Sequence, residues 1–160
     1  MQLQPNIKTL APKKLIGKKV KMSLVDFKVT ELWKSFLPKK TEIKNNLSTD
    51  LISLSVYAPE HFKNFSPTNQ FDKWAAVEVE DFSSVPDGLE TLDLPGGLYA
   101  VFHYKGLNTD NRIFRYIYSE WIPQSSFELD DRPHFEILGE KYKNNDPNSE
   151  EEIWIPIKEK

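Results

Sequence analysis

Glu150-Glu151-Glu152-Ile153-Trp154-Ile155-Pro156-Ile157 lies three residues from the end of the chain, and its alternation decides how the chain is put together. A strand sends successive side chains to opposite faces. Ile153, Ile155 and Ile157 therefore share one face, an ordinary core face, and Glu152, Trp154 and Pro156 share the other. A carboxylate held beside an indole must be hydrated, paired, or available to a cationic or hydrogen-bonding ligand.

The rest of the chain supplies the elements around this strand. Lys14 to Leu24 alternates as a strand, with Asp26 placed to cap a helix whose face is Val29, Leu32, Trp33, Phe36 and Leu37 and which Pro38 ends. Leu51 to Tyr57 and Trp74 to Val79 are two further strands, separated by a polar loop over Pro59 to Asn69. A connector, Ser83 to Pro95, follows, within which Leu89 to Leu94 is free to pair locally.

The order then repeats. Gly97 to Tyr104 is a strand between glycine turns. Asn108, Thr109 or Asp110 caps a helix with Ile113, Phe114, Ile117 and Trp121 on one face, ended by Pro123. Pro133 to Leu138 and Glu152 to Ile157 are the last two strands, joined through the turn-rich Asn144 to Asn148. Strand, helix, strand, strand thus recurs over about 14–80 and 97–157, and both helices finish on an apolar-Pro phrase, Phe36-Leu37-Pro38 and Trp121-Ile122-Pro123. The expected architecture is α+β: an antiparallel sheet from two such units, both helices on one face, a ligand groove between the halves, and one domain over 1–160.

Composition narrows the function. A chain of 160 residues that is 39% hydrophobic can bury a core, and a net charge of −3 gives no excess suited to nucleic acid. The absence of cysteine excludes disulfides and thiolate chemistry. Met1 to Leu10 has no continuous apolar run, so no signal or membrane span is expected and a soluble cytoplasmic protein is the default. His61, His103 and His134 lack metal-ligand spacing, and neither a metal nor a cofactor is expected.

Glu152 with Trp154 is the leading site pair. An isolated glutamate at a strand edge is ordinarily exposed and paired with a lysine, but Trp154 on the same face argues that this face is concave or covered. Trp121, Tyr99, Tyr104 and Trp74 are candidate walls, each with an ordinary role in packing as the alternative. Which face of the 97–104 strand lines the groove stays open.

Four segments in order carry a resemblance: Gly97-Leu98-Tyr99-Ala100-Val101-Phe102-His103-Tyr104-Lys105-Gly106, Trp121-Ile122-Pro123-Gln124-Ser125, Arg132-Pro133-His134-Phe135-Glu136, and Glu152 to Ile157. Together they resemble the gyrase-inhibitor-like small-molecule-binding family, the effector-binding domain also attached to multidrug-responsive transcription regulators. The first half matches only in its order of elements. The resemblance implies the duplicated architecture, a groove between the repeats, and a pocket glutamate on the final strand at Glu152. It further implies lipophilic, aromatic or cationic ligands. No helix-turn-helix is expected ahead of the domain, so direct contact with nucleic acid is not.

The expected function is that of a free-standing binder of hydrophobic or cationic small molecules. One alternative that the resemblance implies is a hydrolase opening strained cyclopropanoid rings with Glu152 as general base. The other is a protein-interaction module, such as a topoisomerase modulator.

Overall fold

The computed structural model describes residues 3–160. Nine strands are present: β1 (Asn6–Leu10), β2 (Lys13–Met22), β3 (Leu51–Val56), β4 (Phe71–Val79), β5 (Glu90–Leu94), β6 (Gly97–Lys105), β7 (Phe127–Leu129), β8 (His134–Leu138) and β9 (Glu150–Glu159). Helix α1 (Val29–Lys40) follows β2; α2 (Arg112–Tyr116) follows β6 and runs through a π-helical turn (Ile117–Trp121) into α3 (Ile122–Gln124).

All ladders are antiparallel, in the order β1-β6-β9-β8-β3-β4-β2-β5, with β7 pairing β9 off this path. The two halves, β2-α1-β3-β4 and β6-α2-β8-β9, meet where β3 pairs β8. β4 and β9 hold corresponding places. This is the duplicated α+β architecture expected from the sequence.

The leading strand of each half pairs with the other half. β1 precedes β2 but pairs β6, and β5 precedes β6 but pairs β2. The connectors Ala11-Pro12 and Pro95-Gly96 therefore run side by side, with Leu10 opposite Gly97 and Lys13 opposite Leu94. The approach is so close that a Cβ on Gly96 would stand 2.5 Å from the Leu10 carbonyl oxygen. Joined at this corner, the sheet curls around its own inner face. One cluster there contains residues from both ends of the strand order: Leu10, Leu15, Leu54, Trp74, Leu94, Tyr99, Phe135 and Trp154.

The outer face carries the helices. Leu32 and Phe36 of α1 pack on Ile16, Ala75, Val77 and Val79. Ile113, Ile117 and Ile122 pack on Ala100, Phe102, Ile153, Ile155 and Ile157. Tertiary burial of these stripes, more than helix propensity, holds the short helices in place.

Several sequence expectations are corrected. β1 and β7 were not expected; β1 has one buried residue in five and β7 is three residues long, so neither leaves a period-two signal. Pro38 and Pro123 do not end their helices, which continue to Lys40 and Gln124. Each proline forfeits one backbone donor within the last turn. At Pro123 the loss is absorbed by the π turn, in which the Ile122 amide donates to the carbonyl of Ile117, five residues back. Asp26 does not cap α1: its amide donates to Ser23 Oγ at 3.0 Å in a separate turn, and Lys28 occupies the N-cap position. Asn111 holds that position for α2, while Asp110 accepts from the Arg112 amide at 3.0 Å. The last strand begins at Glu150, two residues before the expected start.

Candidate ligand groove

The two helices pack over the flanks of the sheet, and the central pair β3–β8 lies between them. Parity along these strands decides what faces the gap. Ile52 and Leu54 of β3 and Phe135 of β8 belong to the inner cluster. Ser53, Ser55, His134 and Glu136 consequently point outward. Ser53 stands opposite Glu136 and Ser55 opposite His134.

The neighbouring strands extend this polar row. Glu151 shares the parity of Ile153, which pairs Glu136, so the two glutamates are diagonal neighbours on one face. On the other side Lys73 pairs Ser55, and its ammonium donates to Ser55 Oγ at 3.1 Å. Glu151, Glu136, the two serines and Lys73 thus cross four strands on a face that is otherwise apolar core.

Glu151 is 7% exposed, and burial raises its pKa to about 9, with the charge and hydrogen bonding of Glu136 adding to the rise and Lys73 opposing it. The pair therefore holds a proton between its two carboxyl groups at neutral pH. Lys73 is pulled below the usual lysine range by burial, against the attraction of both glutamates. Burial holds His134 down to about 3, assisted by His61, Lys73 and Arg132, so its imidazole is neutral.

Aromatic rings close over the row. Tyr118, on the π turn, is hydrogen-bonded through its hydroxyl to His134 Nδ1 at 2.8 Å. Phe62, from the loop between β3 and β4, stacks on Tyr118 (centroids 4.9 Å apart) and on His134 (5.3 Å). Tyr57 lies 4.9 Å from Phe62, Phe71 and His134. Burial raises the phenols of Tyr57, to about 12, and Tyr118; Glu136 adds to both. Burial raises the phenol of Tyr142, and the charges of Glu151 and Glu136 add to the rise.

The expected site residues are distributed differently. Glu152 is on the opposite face from Glu151, partly exposed, and its Oε1 accepts from the indole N–H of Trp154 at 3.1 Å. Trp154 is buried in the inner cluster, stacked on Phe135 at 5.3 Å. Trp74 is in the same cluster, as is Tyr99, whose hydroxyl donates to the Pro133 carbonyl at 2.9 Å. Trp121 packs edge-on against Phe102 at 5.3 Å, in the outer core of the second half. Tyr104, alone among the five of these residues that lie on strands, is on the helix-bearing face with Glu151, which it pairs across β6–β9, and its hydroxyl donates to the Leu107 carbonyl at 2.9 Å.

Sequence reasoning passed over Glu151, Glu136, Lys73, Ser53, Ser55, Tyr57, Phe62, Tyr118, His134 and Tyr142 as site residues. A signal for part of this set existed: Ser53-Leu54-Ser55 and His134-Phe135-Glu136 alternate polar and apolar in two otherwise buried strands. Polar side chains on both central strands at one parity define a face that water or a ligand must satisfy.

No helix among the described residues is long and apolar enough to cross a membrane. Comparison with known proteins agrees with the fold. The transcriptional regulator BrlR of Pseudomonas aeruginosa is 28% identical over 131 residues, which is 81% of this chain and 46% of that protein. The chain spans about half the length of this curated relative. Among solved structures, the fold is similar to SAV2435 bound to tetraphenylphosphonium, with TM-score 0.72, 16% identity, and coverage of 98% of this chain and 94% of that one. It is also similar to the EcmrR C-terminal domain (TM-score 0.71, 17% identity, all of both chains). A third likeness is an integron cassette protein of Vibrio cholerae (TM-score 0.67, 15% identity, 97% of this chain and 96% of that one). The Cass2 family, described as integron-associated effector binding protein, matches residues 6–157, and the chain belongs to it.

Proposed function

We propose that the chain, as one effector-binding domain over residues 1–160, binds a lipophilic aromatic small molecule between its two helices. The Glu136–Glu151 carboxyl pair is the polar anchor, and Tyr57, Tyr118 and Tyr142 are the walls. The supporting observation is the carboxyl pair, Glu151 buried and Glu136 half-buried, set in a face whose flanks are apolar. Buried polar groups without full pairing cost about 1–3 kcal/mol each. A fold that needed only stability would fill these positions with aliphatics, as it does at Ile153 and Ile155.

Phe62 occupies the place where a flat ligand would stack. Its two parallel neighbours, Tyr118 and His134, present the faces such a ligand uses. Ligand entry on this reading displaces the Phe62 ring together with its loop. Effector-family membership and the tetraphenylphosphonium carried by SAV2435 support a ligand of this class.

The test is a titration of tetraphenylphosphonium into wild type and Ser53→Val, which places branched carbons on the groove floor and leaves the Glu152 face untouched. At least a tenfold loss of affinity in a folded Ser53→Val protein is expected. Unchanged affinity contradicts the location.

A further inference from the structure

His134 has one ring nitrogen satisfied and one not. Nδ1 is hydrogen-bonded to the Tyr118 hydroxyl at 2.8 Å. Nε2 has no hydrogen-bond partner among the described residues, although the residue is only 7% exposed. Nor is that nitrogen sealed in: the fully enclosed side-chain atoms without a partner among the described residues are Asn45 Oδ1 and Arg132 Nη1. Nε2 therefore keeps an opening on a side chain that points outward, towards the gap between the helices. A buried polar atom left unpaired in this way calls for a partner from outside the chain.

The bond to Tyr118 decides what Nε2 offers. Burial keeps the imidazole neutral, so one of its two nitrogens carries a proton. If Nδ1–H donated to the phenol oxygen, the phenol proton and the Nε2 lone pair would both lack a protein partner. If the phenol donates to Nδ1, the imidazole proton is on Nε2, and that single N–H is left over. The second arrangement orphans one group instead of two and is the more stable.

Resting on the groove reading above, we infer that His134 is a specificity-determining residue: its Nε2–H is a hydrogen-bond donor offered to the ligand, and the preferred ligands are aromatics that carry an acceptor oxygen. Tyr118 is its positioning residue, which holds the tautomer.

The stacking geometry narrows the acceptor. Phe62 covers the faces of His134 and Tyr118 at interplanar angles of 21° and 24°, and the ligand ring takes its place. Nε2–H lies in the imidazole plane, one ring thickness below such a ligand ring. An oxygen in the plane of the stacked ring stands too high to accept from it. An oxygen set out of that plane, as in a phosphoryl or sulfonyl group or a twisted carbonyl, reaches down to the N–H. Tyr57 crosses His134 at 84° with centroids 4.9 Å apart, and a ring is a weaker partner for an N–H than an oxygen.

The test compares triphenylphosphine oxide, which carries such an oxygen, with tetraphenylphosphonium, which carries none, by calorimetric titration of the whole chain. The variants are His134→Phe, His134→Gln, which keeps an N–H donor, and the double variant Tyr118→Phe/His134→Phe, which removes both hydrogen-bonding partners and strands neither. Losses from packing fall on both probes, so the oxide-to-phosphonium affinity ratio is the readout. It is expected to fall about tenfold or more in His134→Phe and in the double variant, and to stay within about threefold of wild type in His134→Gln. Nitrogen-15 NMR of the wild-type imidazole is expected to show the proton on Nε2. Adding the oxide should move that resonance further than adding the phosphonium, and Tyr118→Phe should mix the two tautomers.

An unchanged ratio in the double variant, with both probes still weakened by Ser53→Val, overturns the role of His134 and leaves the groove standing. So does a wild-type proton on Nδ1, or a wild type that binds the phosphonium but not the oxide. If neither probe binds any of these proteins, or if Ser53→Val leaves both affinities unchanged, the groove reading fails and this inference falls with it.

Discussion

Glu136 and Glu151 are diagonal neighbours on adjacent antiparallel strands, both facing the gap between the helices, and together they hold a proton that an isolated carboxyl would lose. Glu150 and Glu152, either side of Glu151, are not buried in this way. Glu150 accepts from His103 at 2.7 Å on the exposed side, and Glu152 is held by the Trp154 indole. Three identical side chains in a row thus have three different environments, set by strand parity and by what each strand packs against.

Glu151 makes stability fall with alkalinity. Its folded pKa of about 9 lies above the ordinary value of 4.5, so the folded state binds more protons between these limits. The associated stability is present below about pH 4.5 and is lost as pH rises towards 9, at up to about 1.4 kcal/mol per pH unit. Glu151→Gln removes this dependence. At pH 8 it should be more stable than wild type by up to about 5 kcal/mol, and near pH 4.5 the difference should vanish, as read from urea unfolding at the two pH values.

His134 acts on the acid side with the opposite sign. Its folded pKa of about 3 lies below the usual 6.5, so the unfolded state binds more protons in between. Stability is present above pH 6.5 and is lost as pH falls towards 3. His134→Asn should flatten the melting temperature between pH 6.5 and 4, at a cost of about 1 kcal/mol at pH 7 from lost stacking on Phe62.

Phe62 competes with ligand for the faces of Tyr118 and His134. Phe62→Ala should therefore raise affinity for an aromatic ligand about three- to tenfold, mainly through a faster on-rate. Stopped-flow fluorescence resolves the two rates, and a slower association in the variant would count against the plug.

Gly96 tests the crossing of the two leading strands. A side chain there meets the Leu10 carbonyl oxygen at 2.5 Å and Pro12 Cδ at 3.0 Å, contacts that backbone must move to relieve. Gly96→Val should cost about 3 kcal/mol, roughly 6–12 °C in Tm by differential scanning calorimetry.

The duplicated order was legible because it is written in local patterns: alternation in Lys14 to Leu24 and Gly97 to Tyr104, and the three-and-four spacing of Leu32 and Phe36 or Ile113 and Ile117. The curl of the sheet was not, because it depends on β1 and β5 pairing with the opposite half, a long-range choice without a local signature. That curl turns the Trp154 face into a closed core. Trp154 there packs against Phe135 and Tyr99, and the Ile153 face, assigned to plain core, ends in Glu151. Parity was correct in the sequence; which parity faced the helices was not encoded in that strand alone. The central strands held the missing information in Ser53, Ser55, His134 and Glu136, whose polarity has meaning only when β3 and β8 are neighbours.

The most direct measurement compares Glu151→Gln with Glu152→Gln in binding tetraphenylphosphonium at pH 8 by isothermal titration calorimetry. Glu151→Gln should weaken binding at least tenfold, while Glu152→Gln should stay within about twofold of wild type. Equal losses, or a larger loss at Glu152, would contradict a ligand site on the helix-bearing face.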